Sequence, residues 1–131
     1  MLRAKDIMTI NPIALKKETP AYEAVKNLVE NNITCLPIVD DDMTLVGIVS
    51  QKDLLEVMYN EDKPGNVEDF MTKNVFSFNQ EISLIDIAEC FIKNHFRKVP
   101  IVSEGKLVGV VDKMDIIEYI LKLRCTDENA E

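Results

Sequence analysis

The sequence has little of what most enzymes use at an active site. It contains one histidine, His95, and three cysteines, Cys35, Cys90 and Cys125, whose spacing matches neither a CxxC pair nor a metal site. It also has no glycine-rich phosphate loop of the GxxxxGK(S/T) type. We therefore expect reduced thiols, no metal, no required cofactor and no enzymatic activity.

Positive charge and long apolar runs are also scarce. The chain has 15 lysines and arginines against 23 aspartates and glutamates, a formal net charge of −8. Nucleic-acid binding requires neutralised phosphates, so DNA or RNA is not the expected partner. No apolar run could span a bilayer, and no basic start with an apolar stretch marks a signal peptide. We expect a cytoplasmic protein with no membrane partner.

What the chain does have is an internal repeat. Asp-x-Met-Thr, apolar-Pro-Ile-Val and Leu-Val-Gly-x-Val segments each occur twice, in the same order. Two similar halves predict a pseudo-dimer with a ligand-binding cleft between them. The segments lie at 6–9 and 69–72, 36–39 and 99–102, and 45–49 and 107–111. We assign 1–59 to repeat 1, 60–66 to a linker, 67–123 to repeat 2 and 124–131 to an acidic tail.

Each repeat reads as β-α-β-β-α, which predicts an α+β (mixed α/β) fold with a small sheet packed against two helices. Thr19 is the predicted N-cap of the first helix of repeat 1, with Pro20 in its first turn, and Ser83 is the predicted cap of the corresponding helix. Asn31 and Asn32 end the first helix, and the two strands that follow it are predicted to form a hairpin. The final helices carry more apolar residues than one buried face needs, so we expect a homodimer. The predicted elements are extended residues 13–15 and 75–78, strands at 36–39, 45–49, 99–102 and 107–111, and final helices over 51–59 and 113–123.

This ordered set, occurring twice, resembles a tandem pair of cystathionine-β-synthase (CBS) domains, often called a Bateman module. The resemblance covers the chain from Ala4 to about Leu123. It implies two pseudo-symmetric repeats that bind adenosyl ligands, namely AMP, ADP, ATP or S-adenosylmethionine, and that regulate another protein rather than catalyse.

One nucleotide site can be argued from its residues. Ser50 stands where a strand passes into a helix, and the free N–H groups and positive dipole end of a helix start favour an anion. Its hydroxyl can donate to a phosphate, and the Asp53 carboxylate can accept from two ribose hydroxyls. The alternative is an ordinary capping box between these two residues, and both roles can coexist in different ligand states.

The second copy differs in charge. Asp115 keeps the carboxylate, but Asp112 replaces the serine and repels phosphate while still capping the helix. We therefore expect a phosphorylated ligand at Asp53, and at Asp115 either no ligand or one without a phosphate there, such as the adenosyl part of S-adenosylmethionine.

The remaining site residues come from the resemblance. It implies that Arg97 and Lys98, just before Pro100, contact the phosphates of the Ser50 and Asp53 ligand, with solvated side chains as the alternative. It implies a base pocket from Val75 and Phe76, with plain core as the alternative. The second, weaker site is assigned Ile13, Thr34, Cys35 and Pro37 beside Asp112 and Asp115.

The sequence is compatible with three functions. The leading hypothesis is a regulatory adenine-nucleotide sensor read by an unknown partner protein. The alternatives are a structural homodimerisation module with a vestigial cleft and an S-adenosylmethionine-binding module.

Overall fold

The computed structural model describes residues 1–60 and 65–130, and the side chains of 1–60 and 65–125. Its contacts divide the chain into two compact units. The repeat-1 unit is Ile13–Phe76 with Gly105–Leu107, and the repeat-2 unit is Met1–Pro12 with Ser77–Glu104 and Val108–Glu131. In the described part of the chain, no helix is both long enough and apolar enough to cross a membrane.

The repeat-1 unit contains a three-stranded sheet in the order β2-β3-β4. Strand β2 pairs in parallel with β3, and β3 pairs antiparallel with β4, which confirms the predicted hairpin. The elements in chain order are β2 Leu15–Lys16, α2 Ala21–Asn31, β3 Cys35–Val39, β4 Leu45–Ser50, α3 Gln51–Tyr59 and a short 3-10 helix Val67–Asp69.

The repeat-2 unit repeats this order and adds a strand from the start of the chain. Its sheet runs β1-β7-β6-β5, with β1 antiparallel to β7 and β5 parallel to β6. The elements are α1 Ala4–Ile7, β1 Thr9–Ile10, β5 Phe78–Asn79, α4 Leu84–Lys93, β6 Lys98–Ser103, β7 Lys106–Asp112 and α5 Lys113–Ala130. The predicted α+β class and β-α-β-β-α order are confirmed in both units.

Each unit has its own apolar core between its helices and its sheet. Side chains from two helices pack against β3 and β4 in the repeat-1 unit and against β6 and β7 in the repeat-2 unit, because the apolar residues recur at three-to-four spacing in the helices. The repeat-1 core contains Ala24, Leu28, Leu36, Ile38, Val49, Leu54, Val57 and Val67. The repeat-2 core contains Ala4, Phe78, Ile87, Phe91, Val99, Ile101, Val111 and Ile116.

Two helix boundaries differ from the sequence expectation. Helix α2 starts at Ala21 with Pro20 as its cap, not Thr19, because the Gly65 carbonyl accepts from the Ala21 N–H at 2.9 Å and supplies the missing partner. Helix α5 runs on to Ala130, past the predicted end at 123. The end of α2 is as expected, with Asn32 in the left-handed conformation at φ 52°.

The last residue of the predicted linker, Asn66, and the residue after it, Val67, make contacts in the repeat-1 unit. Asn66 forms an antiparallel bridge with Pro20, and the Val67 side chain is fully buried in the repeat-1 core. Residues 61–64 of the predicted linker lie outside the described residues. Contacts thus place the segment that opens repeat 2 in the repeat-1 unit, and the segment that opens repeat 1 in the repeat-2 unit.

Candidate functional site

Ser50 and Asp53 form reciprocal hydrogen bonds with each other at the start of α3. The Asp53 Oδ2 accepts from the Ser50 N–H at 2.9 Å and from the Ser50 hydroxyl at 3.0 Å. The Ser50 Oγ in turn accepts from the Asp53 N–H at 3.4 Å. This is the capping box that the sequence offered as the alternative, and it is confirmed. Among the described residues, Asp53 Oδ1 has no hydrogen-bond partner, so it remains able to accept from a ligand.

Three residues assigned to the second site belong to the same unit as Ser50. Cys35 lies directly opposite Ser50 in the β3–β4 pairing, and Pro37 lies opposite Ile48. The Thr34 carbonyl accepts from the Gln51 N–H at 3.1 Å, which ties the entry of β3 to the first turn of α3. Pro37 is buried, whereas Thr34 and Cys35 are half-buried at this helix start.

The predicted base-pocket residues Val75 and Phe76 are also found in the repeat-1 unit, together with Ile13, the fourth repeat-1 residue assigned to the second site. Phe76 is 46% exposed and Ile13 is 44% exposed, while Val75 is half-buried. They precede the short strands rather than lying in them, because only Leu15 and Lys16 pair in β2 and only Phe78 and Asn79 pair in β5. Their exposure distinguishes Phe76 and Ile13 from core residues and leaves apolar surface for a base.

Asp112 and Asp115 occupy the corresponding start of α5. The Asp115 Oδ2 accepts from the Asp112 N–H at 2.9 Å, and the Asp112 Oδ1 accepts from the Met114 N–H at 2.8 Å. Two carboxylates therefore stand where the repeat-1 unit has one carboxylate and one hydroxyl. Asp112 caps the helix, as expected, but it offers acceptors only.

The cations at the entry of β6 lie in the repeat-2 unit. The Arg97 carbonyl accepts from the Lys113 N–H at 2.9 Å, which joins this strand entry to the start of α5. Arg97 is exposed, Lys98 is half-buried and Pro100 is buried. The contact of Arg97 and Lys98 with a ligand at Ser50 and Asp53 stays a prediction.

A metal site finds no support in the described part of the chain. No group of three histidine, cysteine, aspartate or glutamate side chains is placed there to hold an ion. The arrangement at each helix start instead offers carboxylate acceptors and helix N–H groups, which suit hydroxyl-bearing ligands and, at Ser50, anions.

Sequence reasoning missed a close contact at Gly47, three residues before Ser50 on the same strand. The Met71 side chain fills the space that a β-carbon on Gly47 would need, and the Met8 side chain does the same at Gly109. The signal was present, since the Asp-x-Met-Thr and Leu-Val-Gly-x-Val segments recur together. It was not interpretable from the sequence because the members of each pair are far apart along the chain.

Two α+β units, each with a strand that runs into a helix start carrying an aspartate, define a tandem-repeat binding protein. The chain belongs to the CBS domain family, whose sequence model matches residues 4–60 and 67–122.

Known proteins similar to this chain include both sequences and solved structures. An uncharacterised protein of Methanocaldococcus jannaschii, MJ1225, is 30% identical over 117 residues, which cover 88% of this chain and 42% of that protein. The crystal structure of Arabidopsis thaliana CBSX2 in complex with AMP has a TM-score of 0.86 at 31% identity, covering 95% of this chain and 99% of that one. The CBS pair of MJ0100, with 5′-methylthioadenosine and S-adenosylmethionine, has a TM-score of 0.79 at 30% identity, covering 92% and 96%.

Proposed function

We propose that this chain is a regulatory module that binds an adenine nucleotide, AMP, ADP or ATP, and that it is not an enzyme. The observation that carries the proposal is the start of α3, where Ser50 and a carboxylate oxygen of Asp53 with no partner among the described residues lie at a helix N-terminus. The solved structure of CBSX2 with AMP, at 31% identity over nearly the whole chain, supports it.

The proposed contacts follow from the hydrogen bonds. Asp53 Oδ1 accepts from a ribose hydroxyl without disturbing the cap formed by Oδ2. The Ser50 hydroxyl now donates to Asp53 and must turn away from it to donate to a phosphate. Phe76 and Val75 supply apolar surface for the adenine. Arg97 and Lys98 are the predicted phosphate partners from the family resemblance.

We assign the second helix start to a ligand without a phosphate group beside Asp112. The support is the pair of carboxylates, Asp112 and Asp115, because a phosphate there is repelled by both. The MJ0100 structure contains S-adenosylmethionine and 5′-methylthioadenosine, neither of which carries a phosphate, so such ligands are compatible with a CBS pair.

Isothermal titration calorimetry with AMP, ADP, ATP and S-adenosylmethionine tests the proposal. We expect Asp53→Ala to weaken nucleotide binding by about tenfold or more, since a charge-assisted hydrogen bond contributes about 1.5–3 kcal/mol. Asp6→Ala is the matched control, because the Asp6 Oδ2 accepts from the Arg3 N–H at 2.8 Å at the start of α1, the same bond that Asp53 makes with the Ser50 N–H, and Asp6 is outside the proposed site. No heat with any of the four ligands at millimolar concentration would contradict the function, and equal binding by Asp53→Ala would contradict the site.

We also propose that two copies of the chain associate through their helices. The α2–α3 pair carries an apolar groove of about 380 Å³, lined by residues such as Val29, Leu55 and Met58. The α4–α5 pair carries a groove of about 280 Å³, lined by Ile92, Ile117 and Ile120 among others. Exposed apolar surface on both helix pairs is typical of an interface, and a second copy presents the same surface in return.

A further inference from the structure

Gly47 lies where a side chain has no room. A β-carbon built on it would overlap the Met71 Sδ, and would lie 2.9 Å from Met71 Cγ and 3.1 Å from the Thr72 carbonyl oxygen. The glycine is therefore required by the close approach of another segment. The Met71 side chain also packs against the repeat-1 core, so it cannot move aside freely.

The same contact occurs in the repeat-2 unit. A β-carbon on Gly109 would lie 2.6 Å from Met8 Sδ, 2.8 Å from Met8 Cγ and 2.8 Å from the Thr9 carbonyl oxygen. Two units with different sequences thus keep one arrangement, in which a methionine lies over a glycine and the carbonyl of the threonine that follows the methionine lies beside it. The arrangement is therefore a feature of the fold and not an accident of one segment.

Backbone hydrogen bonds extend this contact toward the site. Ile48 and Thr72 form an antiparallel bridge, in which the Ile48 N–H donates to the Thr72 carbonyl at 3.0 Å and the Thr72 N–H donates to the Ile48 carbonyl at 2.9 Å. Ile48 is two residues before Ser50, and Thr72 is four residues before Phe76. The bridge therefore connects the strand that delivers Ser50 with the segment that delivers Val75 and Phe76.

We infer that Gly47 and Met71 are positioning residues for the nucleotide, which set the place of Val75 and Phe76 relative to the start of α3. The inference rests on the proposed function. An added methyl group at position 47 pushes Met71 and Thr72 outward, and the base-contacting segment moves with them. The ligand then cannot engage Asp53 and the base surface together in the same geometry.

The test compares Gly47→Ala, Met71→Ala and the double variant by calorimetric titration with AMP at 20 °C. We expect Gly47→Ala to weaken AMP binding by about tenfold, which is within the range of energetic coupling between residues in contact. The double variant removes the overlap and should regain most of the affinity. Gly109→Ala, which has the same overlap in the other unit, controls for loss of stability, and thermal unfolding is recorded for every variant.

The outcomes separate the two proposals. If the wild type binds none of AMP, ADP and ATP, the proposed function fails, and this inference fails with it; if it binds ADP or ATP but not AMP, the same variants are titrated with the nucleotide that binds. If the wild type binds and Gly47→Ala lowers only the melting temperature, with AMP affinity unchanged, the role is structural and the inference alone is wrong.

If Gly47→Ala does not fold, Met71→Leu takes its place, because it keeps the side-chain volume while changing the atoms that lie over Gly47. Altered AMP affinity in that variant supports the inference, and unchanged affinity overturns it.

Discussion

Ser50 and Asp112 occupy corresponding positions at the starts of α3 and α5, and both cap a helix. They differ in what they leave for a ligand. Ser50 carries a hydroxyl whose proton can turn toward a phosphate, whereas Asp112 carries a negative charge that accepts from the Met114 N–H. This one difference between the repeats keeps a helix cap in both units, and under the proposed function it sets which ligand group each helix start accepts.

Ser50→Asp should convert the first helix start into a copy of the second. Stability should stay within about 0.5 kcal/mol, because serine and aspartate are equally good caps. Affinity for ATP should fall by about tenfold or more, since a carboxylate then faces the phosphates, while affinity for adenosine falls much less. Calorimetric titration with both ligands checks this. An equal loss for ATP and adenosine would show that charge is not the cause.

The turn between β3 and β4 provides a pH-dependent contribution to stability. Hydrogen bonds with the Asp40 side chain and with the Thr44 hydroxyl and amide lower the pKa of Asp42 to about 2 from 3.8. The Thr44 hydroxyl donates to Asp42 Oδ1 at 2.7 Å. A folded-state pKa below the unfolded value stabilises the fold above about pH 4, and that contribution is lost as the pH falls toward 2.

Asp42→Asn should therefore reduce the acid sensitivity of the protein. Between pH 4 and pH 2 the melting temperature of the wild type should fall more steeply than that of the variant, because only the wild type has this carboxylate to protonate. Thermal unfolding followed by circular dichroism at several pH values checks this. Parallel curves for the two proteins would show that the turn does not couple to folding.

At the scale of the element, α4 shows how one helix divides its apolar residues. Ile87 is fully buried in the repeat-2 core, whereas Ile85, two positions earlier, is 65% exposed. Two residues on a helix are about 200° apart, so they face opposite sides. Phe91, four positions after Ile87, is buried with it on the same face. The Ser83 hydroxyl accepts from the Asp86 N–H, as predicted for the cap.

Ile87→Ala should destabilise the protein by about 2–5 kcal/mol, because it leaves a cavity in a packed core. Ile85→Ala, the same change on the same helix, should stay within about 0.5 kcal/mol. Urea unfolding at 25 °C measures both. Similar losses for the two variants would mean that the exposed side of α4 is covered.

Other features of the elements were beyond sequence reasoning. The start of α2 depends on the Gly65 carbonyl, which is distant along the chain. Local residues at 19–20 predicted a side-chain cap, and a tertiary hydrogen bond replaced it. The end of α5 was also placed too early, since the polar residues after 123 lack the apolar spacing that predicts a helix, yet the helix continues to Ala130.

At the scale of the whole molecule, the apolar helix surfaces predict self-association. Leu55 is 70% exposed and Ile117 is 51% exposed, and each lines one of the two helix grooves. Sedimentation velocity of the wild type should give two chains, and Leu55→Glu or Ile117→Glu should shift the protein toward one chain, because a buried charge without a partner is strongly unfavourable. Ile10→Glu, at an exposed apolar residue outside both grooves, is the control. A monomeric wild type would rule out this interface.

The sequence by itself determined the repeat, the α+β class, the order of elements and the aspartates at the two helix starts, because all of these depend on local pattern and short spacing. Only the tertiary structure decided that Met71 lies over Gly47, that Val67 completes the repeat-1 core, and that the Gly65 carbonyl accepts from the first N–H of α2. The reason is physical. Periodicity reports which face of an element is apolar, but contacts between distant segments depend on how closely two backbones approach, and that distance exists only once the chain has folded.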